Sequence, residues 1–245
     1  MDGKNRGWSL SYNERLFQSR GLRSAYHLER YRWLAREMAG ISSPRVIELG
    51  CFDAKSLRFI PQPSYYLGLD ADWEGGLSEG RKLWRDAGNV ELVNCVHPSQ
   101  IPDRGTFDIG VVLETLEHLP DPLLDEYIAK LGALIHGKLF VSVPRERGLI
   151  FLAKYLAKTL FYGGYAGGGR PTPRDVFMLT LSRTNQVKRC DHKGFDERVL
   201  IKKLSKYFRI EKVSSIFPRF APLSLSVTVG IVARSDFKTG YRGLP

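Results

Sequence analysis

The sequence predicts an α/β protein built on one doubly wound, mostly parallel sheet. Strand-length apolar runs alternate with helical segments from residue 45 to residue 144, the signature of a parallel sheet with helices on both faces. Two further strands then follow residue 208 with no helix between them, so the sheet should finish antiparallel.

Residues 22–39 read as a basic helix in which Leu28, Tyr31, Leu34, Ala35 and Met38 share a face and Gly40 is the stop. "RVIELG" (45–50), "YYLGLDAD" (65–72), "VELVN" (90–94) and "FDIGVVLE" (107–114) are the first four strands. "DPLLDEYIAKLGALI" (121–135) is the clearest helix: Asp121 can cap it, Pro122 fits its first turn, and Leu124, Tyr127, Ile128, Leu131 and Leu134 line one side. "KLFVSVP" (138–144) is a fifth strand stopped by Pro144. "GGYAGGGRPTP" (163–173) cannot be regular structure and marks a loop or lobe boundary. A helix over 196–208, capped by Asp196, precedes strands at 209–216 and 223–235. The organisation expected is an N-terminal helical cap (1–43), a core (44–145), a helical and glycine-rich insertion or lid (146–195), a C-terminal helix and strands completing the core (196–236), and a tail (237–245).

The 245 residues suffice for one sizeable domain, or for a domain with an added lobe, and 43% hydrophobic with 26% charged residues is a soluble globular composition. A net charge of +11 favours anionic partners, whether nucleic acid, an acidic membrane surface or a phosphorylated substrate, without choosing among them. Cys51, Cys95 and Cys190 form no C-x-x-C pair, which argues against a disulfide framework or structural zinc and for a reducing, cytoplasmic compartment. The polar N-terminus lacks a signal-peptide pattern, and no uncharged apolar run reaches the roughly 18 residues of a spanning helix.

Ligands of open α/β sheets sit beyond the C-terminal strand ends. The first strand delivers Glu48 and Gly50 there, the second Asp70, and the fourth Glu114 followed by "LEHL". An acid about 20 residues after the first loop is placed to accept hydrogen bonds from ribose hydroxyls. The loop itself, Gly50-Cys51-Phe52-Asp53-Ala54, lacks the glycines that let backbone approach a pyrophosphate, and Asp53 would repel one. A cofactor without phosphate and with a positive centre suits it better.

In these residues the chain resembles the Rossmann-like class I methyltransferases that use S-adenosylmethionine (SAM). "ELGCFDA" matches their E-x-G-x-G-x-G, with Phe52 and Ala54 at the second and third glycines. "LGLDAD" matches the second-strand acid, "FDIGVVLETLEHLPDP" the F-D…E-H stretch, and "VSVP" the fifth strand. The acid common after the third strand is missing: the chain reads Asn94, Cys95, Val96, His97. The resemblance implies SAM as cofactor, its methionine end held by backbone around Glu48, Gly50, Cys51 and Phe52, and its ribose by Asp70. Ala71, Asp72 or Trp73 would then flank the adenine, with Glu114 and Thr115 beneath the sulfonium.

Methyl transfer to a hydroxyl needs positioning and a base. His192 and His118 are the candidates, with His192 favoured because a histidine before the late helix often faces the site in such enzymes; His97 is a third. No cluster of acids and amides for a metal can be assembled from the sequence, so no metal is expected. After the fifth strand, residues 145–164 form an apolar segment edged by Lys154 and Lys158, with Arg145 and Arg147 upstream. It suits an interfacial helix on an anionic membrane, with a core helix or subunit interface as the plainer alternative. With the glycine-rich loop it is similar to methyltransferases of polysaccharide and glycolipid assembly. The acceptor expected is therefore a sugar hydroxyl on a lipid-linked glycan, glycolipid or other saccharide, at the inner face of a membrane. The lack of an RNA-binding module, and "LETLEH" where base-amine methyltransferases carry an N-P-P-Y-like turn, argue against nucleic acid. A small-molecule or quinone methyltransferase, or a non-catalytic binding protein with a degenerate SAM site, are the remaining alternatives.

Overall fold

The computed structural model describes residues 22–161, 170–190 and 192–235; the remainder of the expected cap, glycine-rich segment and tail lies outside the described residues. Seven strands form one sheet in the order β3-β2-β1-β4-β5-β7-β6. They are β1 (Arg45–Leu49), β2 (Tyr65–Asp70), β3 (Val90–Asn94), β4 (Phe107–Leu113), β5 (Ile135–Pro144), β6 (Phe208–Phe217) and β7 (Thr228–Ser235). β1 to β5 pair in parallel, and β7 runs antiparallel to both β5 and β6. This is the doubly wound, mostly parallel sheet that the alternating pattern predicts. The chain order turns back between β1 and β4, so the ends of β1, β2 and β4 lie side by side at the switch point where open α/β sheets form a ligand crevice.

Alternation along each strand sends side chains to two cores. Ile47, Leu49, Leu67, Leu69, Val112 and Val141 meet α3 (Asp121–Leu134) and α6 (Glu197–Leu204) on one face. Val46, Tyr66, Val111, Phe140 and Val232 meet α1 (Leu22–Glu37) on the other. α2 (Gly76–Leu83) flanks β3. In α1 the buried residues include Tyr31 and Leu34, with Met38 just past its end, as the spacing predicts, but also Trp33. Trp33 fits because Gly230 of β7 has no side chain: a Cβ there would lie 2.5 Å from the indole Cε2.

Several boundaries differ from expectation. Asp121 opens α3 without capping it, because Pro120 holds the cap position and the Asp121 carboxylate is drawn to Arg189 at 2.7 Å. β5 follows α3 directly at Ile135, and α6 ends at Leu204. Residues 223–225 form a 3₁₀ turn, so β7 begins at Thr228. Asp196 caps α6 as its sequence position suggests, accepting the Arg198 N–H at 2.9 Å.

The segment after β5 contains α4 (Gly148–Phe161) and α5 (Pro173–Thr180), which share a small core of Phe151, Leu179 and Val187. A buried ionic cluster ties it to the sheet: Glu197 accepts from Arg145 at 2.9 Å and from Arg147 at 3.1 Å. Lys154 bonds Glu146 and the Arg145 carbonyl. It is thus turned back onto its own segment, unlike the membrane-facing lysine of the sequence reading.

Gly230→Ala is expected to displace Trp33 and cost about 1–3 kcal/mol, as overpacking does. Urea unfolding should show this loss, while Gly88→Ala, where a Cβ meets nothing within 4 Å, should leave the midpoint unchanged.

Candidate functional site

The crevice is built around the carboxylate of Asp70. One oxygen accepts the Phe52 N–H at 2.8 Å, and the other accepts the Asp72 N–H at 2.7 Å. The loop after β1 and the loop after β2 are thereby fixed to one group. Gly50 and Cys51 are held too, through N–H groups donated to the Leu69 carbonyl at 2.7 and 3.1 Å.

This loop has an unusual backbone. Gly50, Phe52 and Ala54 all take positive φ, at 75°, 50° and 56°. Two of them carry side chains, and each left-handed non-glycine residue costs of order 1–2 kcal/mol. The glycine pattern is therefore lost in letters and kept in conformation. Gly50 is required twice over, by its φ and because a Cβ there would lie 2.1 Å from Thr115 Oγ1. Asp72 and Glu114 also have positive φ, at 57° and 52°. All five residues follow the C-terminal ends of β1, β2 or β4, where backbone strain commonly marks function.

The side chains divide into those facing the crevice and those buried beneath it. Phe52 is half-buried, its ring against Gly76 at the start of α2. The Asp72 carboxylate accepts the Leu77 N–H at 3.0 Å and so anchors that helix. Ala71 is half-buried beside it, and Trp73 is 77% exposed at the rim. Cys51 is buried against Gly68, and burial pushes its thiol pKa well up, which removes it as a nucleophile. Asp53 is also buried, 3.9 Å from the Lys55 ammonium.

Glu48 sits under the loop, its carboxylate accepting from the Ser56 hydroxyl and from the Tyr66 hydroxyl at 2.6 Å. Burial lifts its pKa to about 7 despite these bonds and the nearby Arg30 charge. Glu114 accepts from Ser142 at 3.2 Å and from Tyr26 of α1 at 3.3 Å, and burial raises its pKa. α1 thus supplies one wall of the site, through Tyr26, which periodicity alone did not single out. Thr115 lies against Gly50 and donates to the Leu113 carbonyl at 3.1 Å.

His118 and His192 come together, ring centroids 4.5 Å apart and nearly perpendicular. Glu117 lies with them and is fully buried. Arg189 holds this arrangement: its guanidinium donates to the Glu117 carbonyl at 3.2 Å and the Leu119 carbonyl at 2.8 Å. His97 lies elsewhere, capping the 98–100 turn and pairing with Glu126 at 3.0 Å.

The strand ends therefore offer hydrogen-bonding carboxylates in a chain of net charge +11. No family model matches the sequence, and no curated protein does. Solved structures do match. The N-methyltransferase NodS of Bradyrhizobium japonicum, bound to S-adenosylhomocysteine, is 13% identical, with a TM-score of 0.57 over 91% of this chain and 96% of that one. The chain has the class I methyltransferase fold. A 1,6-didemethyltoxoflavin N1-methyltransferase of Burkholderia thailandensis is 17% identical, with a TM-score of 0.55 over 87% and 81%. A SAM-dependent methyltransferase of Aquifex aeolicus is 12% identical, with a TM-score of 0.54 over 85% and 92%.

Glu48 generates a pH prediction. Its raised pKa means the folded state binds a proton more tightly than the unfolded chain, so its favourable contribution is complete below pH 4.5 and is lost as the pH rises to about 7. The loss amounts to about 3 kcal/mol. Glu48→Gln keeps an acceptor for Ser56 and Tyr66, so urea unfolding from pH 4 to 8 should show the variant overtaking wild type as the pH rises. Parallel curves for the two proteins would contradict the assignment.

Proposed function

We propose that the protein is a SAM-dependent methyltransferase whose cofactor lies across the ends of β1, β2 and β4. The observation that carries this is the Asp70 carboxylate joined to a first loop with positive φ at positions 50, 52 and 54. That loop gives backbone access with Gly50 as its one glycine, and the carboxylate retains lone pairs for ribose hydroxyls. Acidic groups around Glu114 suit a sulfonium cation and would repel a diphosphate. When bound, SAM would supply a methyl group already activated by its sulfonium; the chain's part is to place the acceptor in line and manage its proton. His192 and His118, together beside Thr115, are the candidate bases.

Calorimetric titration with S-adenosylhomocysteine should give micromolar binding. Gly50→Ala should abolish it, and Asp70→Asn, which puts an amide N–H against one of two backbone donors, should weaken it more than tenfold. Equal binding by all three proteins would refute the site, as would no binding by wild type.

The acceptor we propose is a saccharide hydroxyl on a lipid-linked glycan or glycolipid, reached at an anionic membrane surface. Supporting this is α4, where Leu149, Leu160 and Phe161 are 70%, 72% and 78% exposed. Among the described residues no helix is long and apolar enough to cross a membrane, so the contact would be peripheral. Leu160→Asp with Phe161→Asp should abolish co-sedimentation with anionic liposomes while leaving S-adenosylhomocysteine binding intact. Wild-type protein that stays in the supernatant would refute the membrane reading. A nitrogen acceptor is the second reading, favoured because NodS and the toxoflavin enzyme are N-methyltransferases. Methyl transfer to amine-bearing but not hydroxyl-only saccharides would decide for it.

A further inference from the structure

Glu117 is fully buried, and no other described residue donates a hydrogen bond to either carboxylate oxygen. His118 Nε2 lies 3.8 Å from one of its oxygens, too far for a hydrogen bond. A carboxylate in this position is costly unless a proton or a cation compensates it. The side chains grouped with it are of kinds that can ligate a metal. One ligand atom from each of Glu117, His118 and His192 lies within 4.8 Å of the other two. Ligands on a tetrahedral zinc at about 2.0–2.1 Å are roughly 3.3 Å apart, so small side-chain rotations would close the set.

The backbone around the cluster is braced. His118 ends a 3₁₀ turn over Leu116–His118, and His192 lies in a turn closed by mutual hydrogen bonds between Cys190 and Lys193, both 3.0 Å. Arg189 ties the two turns together through the carbonyls of Glu117 and Leu119. One edge stays open, because the His118 side chain is 40% exposed.

We propose that Glu117, His118 and His192 form a site for a divalent transition-metal ion, such as Zn²⁺, Mn²⁺ or Co²⁺, with an open coordination position. Two imidazoles and one carboxylate are a ligand set for these ions rather than for Mg²⁺ or Ca²⁺. On the methyltransferase reading, on which this role rests, the two histidines would serve as ligands in place of acting as bases, and the ion would bind the acceptor hydroxyl and ease loss of its proton to solvent. The acceptor oxygen then bonds the methyl carbon as the carbon–sulfur bond breaks, the electron pair remaining on sulfur.

Untagged protein titrated with Co²⁺ should bind one equivalent and show visible ligand-field absorption. Glu117→Gln, His118→Ala and His192→Ala should each weaken binding by at least about tenfold. His97→Ala, in the exposed pair with Glu126, should not. S-adenosylhomocysteine binding measured in parallel checks that each variant is folded and tests the cofactor reading separately. No cobalt binding by wild type, or equal binding by the three variants, would overturn the proposal. If Glu117→Gln fails to fold, the exposed His118→Ala decides.

Discussion

The site depends on one carboxylate that holds two loops. Asp70 ends β2, and its oxygens take the N–H of Phe52 from the first loop and of Asp72 from the second. Buried backbone N–H groups need acceptors, and a charged acceptor gives the stronger bond. With that anchor the first loop can sustain left-handed residues at 52 and 54, which an unsupported loop of Phe and Ala would abandon. Asp72 extends the chain of support by holding the Leu77 N–H of α2, and Phe52 packs on Gly76 of the same helix. β1, β2 and α2 therefore meet at a single acid.

Much of this was legible in the sequence. The strands announce themselves as β-branched runs, and the acids at 48, 70 and 114 stand where parallel strands end. Conformation was less legible. Nothing in the letters of "GCFDA" says that Phe52 and Ala54 keep the φ of the glycines they stand for, because hydrogen bonds from distant residues enforce it. Helical spacing likewise named Tyr31 and Leu34 but not Trp33, which is buried only because Gly230, almost 200 residues later, leaves room. Asp121 reads as a helix cap, yet Arg189 competes for its carboxylate.

Charged residues were the hardest to place. Lys154 reads as a headgroup-binding cation, but Glu146 lies within reach and takes it. Glu117 reads as part of an E-H-L turn. Only the fold shows that the turn buries its carboxyl beside His118 and brings up His192 from the far side of α4 and α5. The spacing of Glu114, Glu117 and His118 was the available signal, and it becomes informative only with the histidine that long-range topology supplies. Carboxylates gather at these strand ends in a chain of net charge +11, and Arg30 and Lys154 lie near enough to Glu114 to favour its charged form.

The most direct test of this account is a crystal structure of the complex with S-adenosylhomocysteine. The ribose should lie on Asp70, with the Phe52 and Asp72 N–H bonds kept and φ still positive at Phe52 and Ala54. A ligand bound away from Asp70, or a first loop that abandons those left-handed conformations to admit it, would contradict the claim that this strained loop is a pre-built cofactor floor.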